Sequence, residues 1–388
     1  MNIFLFLGGV FLLILILGKL LEKFRIPWIF AALLLGAFLA IYNPFEQITT
    51  SPAFNFLANL GMYFLLFIIG FEINLKNIKR SGFFIFKVSL ATIFLTAFVG
   101  ASFIHYIFNY SWFISFLVGL SFATVGEAIL IPILDEFKII NSKLGQVIIG
   151  SGTLDDIVEV FALVVLTLFL GSQAYGRINT LIIFAALLVL FILTLALSQL
   201  KSQGVKFKVS SIETLFLFII AVFFIFLGIG QYAEAAALGA ILAGVGLKTF
   251  IPNARLKAIE NEVKAVCYGL FAPIFFLWAG LSMDMHYLIT YPLLILLLVI
   301  VVSASKYLGS YLVAKKQLGL KQSILLGTGL SVRFSTSIVI IKILFENKII
   351  ANDLYSVIVA SSVLFALVVP ILFSVLLAKW KLVLQKNF

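Results

Sequence analysis

Runs of about 20 apolar residues recur along the whole 388-residue chain, from 2–20 at one end to 353–378 at the other. A helical run of that length crosses the hydrocarbon core of a bilayer. The chain is 63% hydrophobic and 11% charged, whereas a soluble domain is closer to half and a quarter. No soluble core needs that much apolar surface. In lipid each backbone group must find its partner within the segment, which points to helices. The sequence is therefore read as an all-α polytopic membrane protein. The first run lacks a basic leader and a small-residue cleavage site, so a retained helix is expected there rather than a signal peptide.

About thirteen spans can be drawn, at approximately 2–20, 26–42, 52–73, 83–108, 112–134, 143–171, 177–198, 211–229, 233–247, 262–281, 287–314, 321–345 and 353–378. The connections are short, so a single transmembrane unit over 1–388 is expected, with no soluble regulatory domain. Alternate loops carry the cations: Lys19/Lys23/Arg25, Lys76/Lys79/Arg80, Lys138/Lys143, Lys201/Lys206/Lys208, Lys248/Arg255/Lys257/Lys264 and Lys315/Lys316/Lys321. Such loops face the cytoplasm. This places the N-terminus outside and the C-terminus inside. It also accounts for the net charge of +11 without nucleic acid as a partner. The lone Cys267 excludes an internal disulfide. His105 and His286 fall near expected helix ends, in no metal-ligand spacing.

The chain also repeats itself. LGAFLA at 35–40 matches LGAILA at 238–243; FLLFIIGFEINL at 64–75 matches IFFLWAGLSMDM at 274–285; GLS at 119–121 matches GLS at 329–331. Gly70 aligns with Gly280, and Gly119 with Gly329, at the same offset of 210 residues. The matches pair span 2 with 9, 3 with 10 and 5 with 12. A shift by an odd number of helices inverts one copy. The expectation is therefore two inverted repeats, approximately 2–171 and 211–378, joined by a linker helix at 177–198. That is a common plan of secondary transporters, whose site lies at the midplane.

Charge in mid-membrane costs roughly 2.5–3.5 kcal/mol per residue on insertion scales, so each such residue needs a reason. The deep candidates are Glu127, Asp155, Asp156, Glu159, Lys306 and Arg333. Asp155 and Asp156 lie midway along span 6, in SGTLDDIVEV. Adjacent helical residues point about 100° apart, so one carboxylate can meet a cationic side chain while the other faces a water-filled cavity. A carboxylate in such a cavity takes either a proton or a hard cation such as Na⁺, and competition between the two is the physical basis of exchange. Lys306, inside span 11, either snorkels to the interface or pairs with an aspartate, Asp155 first. Spans 5 and 12 gather Gly, Ser and Thr at mid-span, which permits unwinding where freed backbone groups face protein or water. Two broken helices crossing there would aim their dipole ends at the site, and ordinary small-residue packing is the alternative. Glu127 follows the break in span 5, and Arg333 lies in the matching part of span 12. Either they form a buried ion pair or Glu127 coordinates the ion itself. Glu159 either lines the face of Asp156 or serves packing.

These residues resemble the second family of monovalent cation:proton antiporters, which includes the Kef-type and NapA-type exchangers. The resemblance is carried by SGTLDDIVEV, FLLFIIGFEI, FATVGEAILIPILDEF, LGAILAGV, PIFFLWAGLSMD and Lys306, which in order span nearly the whole chain. It implies an NhaA-like antiporter fold and a homodimer of a dimerisation domain and a core domain that moves like an elevator. It implies that Asp156 is the carboxylate that binds Na⁺ and protons, that Asp155 pairs with Lys306, and that Thr124 lies at the crossing of the broken helices; Ser121, in the GLS segment of span 5, is a further candidate for the site. An Asp–Asp pair with a membrane lysine is similar to the electrogenic members. One departure is SVRFSTS, which keeps Arg333 but lacks the Gly and Glu that follow this Arg in many relatives. Glu127 stands where relatives commonly have a neutral residue, as though the acid had moved from span 12 to span 5.

The expected function is exchange of protons for Na⁺ or Li⁺ across the cytoplasmic membrane, with no cofactor and no enzymatic step. The alternative within transport is K⁺/H⁺ exchange, which needs the same acids and a different cavity size. A sodium-coupled solute symporter ranks behind both, because no set of polar contacts for an organic substrate is evident. An intramembrane aspartyl protease needs its two aspartates on different helices, which these adjacent residues cannot provide.

Overall fold

The computed structural model describes residues 2–23, 26–72, 82–152, 154–155, 158, 162, 165, 177–199, 211–232, 235–251, 253–333 and 335–380. The first helices are α1 (Ile3–Glu22), α2 (Phe30–Ile41), α3 (Pro52–Glu72), α4 (Phe83–Phe108), α5 (Trp112–Ser121) and α6 (Glu127–Glu136). Helix α7 covers 143–152, and its helical backbone includes Asp155. There follow α8 (Arg177–Gln199), α9 (Ile212–Gln231), α10 (Ala236–Phe250) and α11 (Asn253–Val266). A π-helical turn (Cys267–Phe271) links α11 to α12 (Ala272–Leu281). The last are α13 (Met285–Thr290), α14 (Pro292–Leu330), α15 (Ser335–Glu346) and α16 (Asn352–Trp380). Among the described residues, seven helices are long and apolar enough to cross a membrane. α1 and α9 are among the most apolar of these and are the least buried, whereas the less apolar α3 lies mostly inside. In water that order would be reversed; here Phe4, Leu5, Leu217 and Ile225 have lipid to face.

Several expected spans take a different form. Spans 5 and 12 are each split in two, and α2 and α10 are short, at 12 and 15 residues. Spans 11 and 12 are two helices within α14 that meet directly at Gly319, whose φ of 77° and ψ of 171° are the one departure from helical geometry in 292–330. Glycine adopts that conformation at no steric cost, so one residue turns the chain where a basic loop was expected at 315–321.

The chain divides into two compact units, each drawing on both expected repeats. The first comprises Met1–Phe6, Phe45–Ile73 and Val160–Trp278. In it α3 and α10 touch backbone to backbone: a Cβ on Gly70 would lie 2.1 Å from the Ile241 carbonyl oxygen, and one on Gly244 2.2 Å from that of Phe67. The Phe64 and Phe271 rings stack at 4.5 Å. At the end of α3, Lys264 Nζ lies between Glu72 and Glu260 carboxylates at 2.7 and 2.8 Å, and Lys248 donates to the Glu72 carbonyl at 2.7 Å.

The second unit comprises Leu7–Pro44, Asn74–Glu159 and Ala279–Phe388. Here α4 packs on α5 with Gly119 against the Ala97 carbonyl, and on α14 with Gly309 against Thr92. A Cβ on Gly280 would lie 2.2 Å from the Leu33 carbonyl oxygen. The loops at Tyr110, Asp284 and Ala351 share bonds with their neighbours. Ala351 N–H donates to the Tyr110 hydroxyl at 2.8 Å, and Asp284 N–H to the Ser356 hydroxyl at 2.6 Å.

Candidate ion-binding site

The two Gly/Ser/Thr-rich spans are interrupted at their aligned GLS segments, and they stop in the same manner. Phe122 and Ala123 N–H donate to the Gly119 and Leu120 carbonyls at 3.1 and 3.0 Å. Ser331 and Val332 N–H donate to the Thr328 and Gly329 carbonyls at 3.1 and 3.2 Å. These tight turns satisfy the last helical carbonyls and end the helix. The two interruptions then meet, because Gly126 N–H donates to the Val332 carbonyl at 2.8 Å. Each half-helix thus presents an end, and its partial charge, inside the second unit.

Basic side chains occupy the negative ends. Lys306, on the first leg of α14, is fully buried and donates to the Ala123 carbonyl, just beyond the C-terminus of α5. A cation there complements the accumulated carbonyl dipoles. Arg333 follows the end of α14 and is 0% exposed. Its guanidinium lies between the rings of Phe122 and Phe365, 4.8 and 4.2 Å from their centroids. Its three side-chain nitrogens have no hydrogen-bond partner among the described residues. The weakly hydrated, planar guanidinium tolerates such a place better than an ammonium does, and each ring face contributes about 0.5–2 kcal/mol.

Asp155 is 2% exposed and within electrostatic reach of Lys306; its Oδ1 has no hydrogen-bond partner among the described residues. Thr124, in the first interruption, donates its hydroxyl to the Ser121 carbonyl at 3.1 Å, and Ser121 donates to Val118 at 2.6 Å. Among the described residues neither hydroxyl oxygen accepts a hydrogen bond, so each keeps acceptor lone pairs. The structure therefore brings Asp155, Lys306, Ser121, Thr124 and Arg333 to two facing helix breaks. Asp156 and Glu159 lie outside the described residues, as does the side chain of Glu127, whose backbone opens α6. His105 is used locally, 2.7 Å from the Tyr110 carbonyl and stacked on Trp112.

A family model described as "Sodium/hydrogen exchanger, transmembrane" matches residues 9–379. The chain belongs to the sodium/hydrogen exchanger family. Within that family it is 27% identical over 370 residues to "Probable Na(+)/H(+) antiporter 3" of Methanocaldococcus jannaschii, covering 92% of each chain. It is 24% identical over 357 residues to "Na(+)/H(+) antiporter" of Enterococcus hirae, covering 90% of this chain and 92% of that one. Its fold is similar to that of the sodium proton antiporter MjNhaP1 from M. jannaschii, with a TM-score of 0.63 at 18% identity over 98% of this chain and 96% of that one. This exchanger is thus a multi-pass membrane protein of a transporter family.

Sequence reasoning missed three parts of this exchanger. Phe122 and Phe365 carried no signal in a chain with 42 phenylalanines. Lys342 was not counted among the deep charges, yet it is fully buried on α15. Its position in an apolar half-helix, IVIIKILFE, was the available clue.

Proposed function

We propose that this chain exchanges Na⁺ or Li⁺ for protons across the cell membrane by alternating access, electrogenically, with Asp156 as the carrier and Asp155 balanced by Lys306. The observation that carries the reading is the meeting of the two helix breaks at Gly126–Val332, with Lys306 bound to the Ala123 carbonyl beside it. Such a place offers a dehydrated cation backbone and hydroxyl oxygens beside a carboxylate, and offers a proton the carboxylate alone. The names of the relatives above support Na⁺ as the cation. The Asp155–Asp156 pair with Lys306 favours the Kef-type/NapA-type branch of the antiporters.

About thirteen spans in two inverted, NhaA-like repeats, with the N-terminus outside, complete the proposal. Contacts of matching kind support the repeat. Span 3 meets span 9 at Gly70–Ile241, and span 10 meets span 2 at Gly280–Leu33. Span 5 meets span 4 at Gly119–Ala97, and span 12 meets span 11 at Gly327–Tyr307. A homodimer and an elevator-like motion are proposed with the family resemblance as support. Glu127 is proposed as the counterion of Arg333.

The test is proton flux in proteoliposomes on adding Na⁺, Li⁺ or K⁺ in turn. Proton movement with Na⁺ or Li⁺ is expected. A response to K⁺ alone would change the cation, and no response to any of the three would end the exchange reading.

A further inference from the structure

The second unit contains a buried cation that the proposed reaction does not use. Lys342 is fully buried near the end of α15 remote from the break. Its Nζ lies 2.7 Å from the Glu346 carboxylate and 2.5 Å from the Ser282 hydroxyl. It also stands 5.1 and 5.4 Å from the ring centroids of Phe345 and Tyr355, which stack on each other at 4.6 Å. The Tyr355 hydroxyl in turn donates to the Ala279 carbonyl at 2.8 Å.

One ammonium therefore ties three elements: the end of α12 through Ser282, the last turn of α15 through Glu346, and the first turns of α16 through Tyr355. A surface pair at this spacing would contribute little. Here the lysine is wholly out of water, so losing Glu346 leaves a buried charge uncompensated, and losing Ser282 leaves one of its N–H donors without that acceptor. The pair also sits where a cation complements the helix C-terminus.

α15 is short, 12 residues, or roughly 18 Å at the helical rise. It behaves as a rod whose two ends move together. Its other end begins at Ser335, two residues beyond Arg333 and three beyond the Val332 carbonyl that holds Gly126. We infer that Lys342 is a positioning residue of the exchange reaction: by pinning the far end of α15 it fixes where the break and Arg333 stand relative to the ion site. The inference rests on the exchange reading above, and it assigns the residue no contact with the transported ion.

Two measurements on the full-length protein test it. Amide hydrogen exchange over 335–346 is expected to quicken in Lys342→Met. In proteoliposomes the Na⁺ concentration giving half-maximal proton flux is expected to rise about tenfold, with maximal flux changed far less, since misplacing a site by about 1 Å costs up to a hundredfold. Glu346→Gln should act in the same direction, and the double variant should be no worse than the more affected single variant. If Lys342→Met does not fold, Glu346→Gln, which keeps the ammonium and its bond to Ser282, carries the comparison. An unchanged half-maximal Na⁺ concentration overturns the inference, whether or not amide exchange quickens. A parent protein without cation-driven flux instead overturns the exchange reading, and the amide-exchange arm still reports whether the tie exists.

Discussion

Gly126 donates its amide hydrogen to the Val332 carbonyl at 2.8 Å, so one backbone bond joins the two broken helices. Gly126 has φ −79°, which a proline ring accepts. Gly126→Pro should therefore remove the donor without forcing φ. The stranded carbonyl should cost about 1–3 kcal/mol, visible as a lower melting temperature, and the half-maximal Na⁺ concentration should rise. Parent-like melting would mean that the bond contributes nothing.

The close backbone approaches at Gly70 and Gly280 make a matched pair of tests. A Cβ at either position would meet a carbonyl oxygen at 2.1 or 2.2 Å, and backbone cannot move aside as a side chain can. Gly70→Ala and Gly280→Ala should each destabilise by about 1–3 kcal/mol or more. Gly8→Ala, with open space around it, should melt with the parent. Equal melting of all three would refute the packing described for α3 with α10 and for Gly280 with Leu33.

Arg333 depends on aromatic faces. Phe365→Leu keeps the apolar volume roughly but removes the nearer ring, and should cost about 0.5–2 kcal/mol. Arg333→Lys should be worse, because a compact ammonium gives up more hydration than a guanidinium. A double-mutant cycle of Glu127→Gln with Arg333→Met examines the proposed counterion; a coupling energy indistinguishable from zero would remove Glu127 from that role.

Competition at one carboxylate fixes a pH dependence by sign alone. As pH falls, more of the carrier is protonated and less accepts Na⁺. The half-maximal Na⁺ concentration should then climb towards tenfold per pH unit on the acid side and flatten on the alkaline side. Asp156→Asn should abolish Na⁺-driven proton flux. Full flux in that variant, or a pH-independent half-maximal concentration, would require another carrier. Lys306→Gln should lower the melting temperature, because the Ala123 carbonyl loses its cation.

The legible parts were those written in residue type. An apolar run of membrane length, a lysine such as Lys306 within it, and GLS followed by small or polar residues each have few physical uses in lipid. What stayed hidden was written in distance. In the sequence Lys342 and Glu346 are simply a cation and an acid four residues apart; only the fold brings Ser282 and Tyr355 around the ammonium. The ring cage of Arg333 joins positions far apart in the chain. The single-residue turn at Gly319 was hidden for another reason, since a basic cluster beside a glycine is equally good as a loop.

The π-helical turn Cys267–Phe271 holds one residue more than an α-turn between the same neighbours. That residue advances every later side chain by about 100° around the axis. It brings Phe271 over Phe64 while Phe275, farther on, still lies against Gly61. A shortened chain lacking one residue here would close the turn into a plain helix and rotate the segment after it by that angle. Phe275 would then swing away from Gly61 and another side chain would take its place. The wide turn thus acts as a phase adjuster, letting two stretches of one helix obey two different partners.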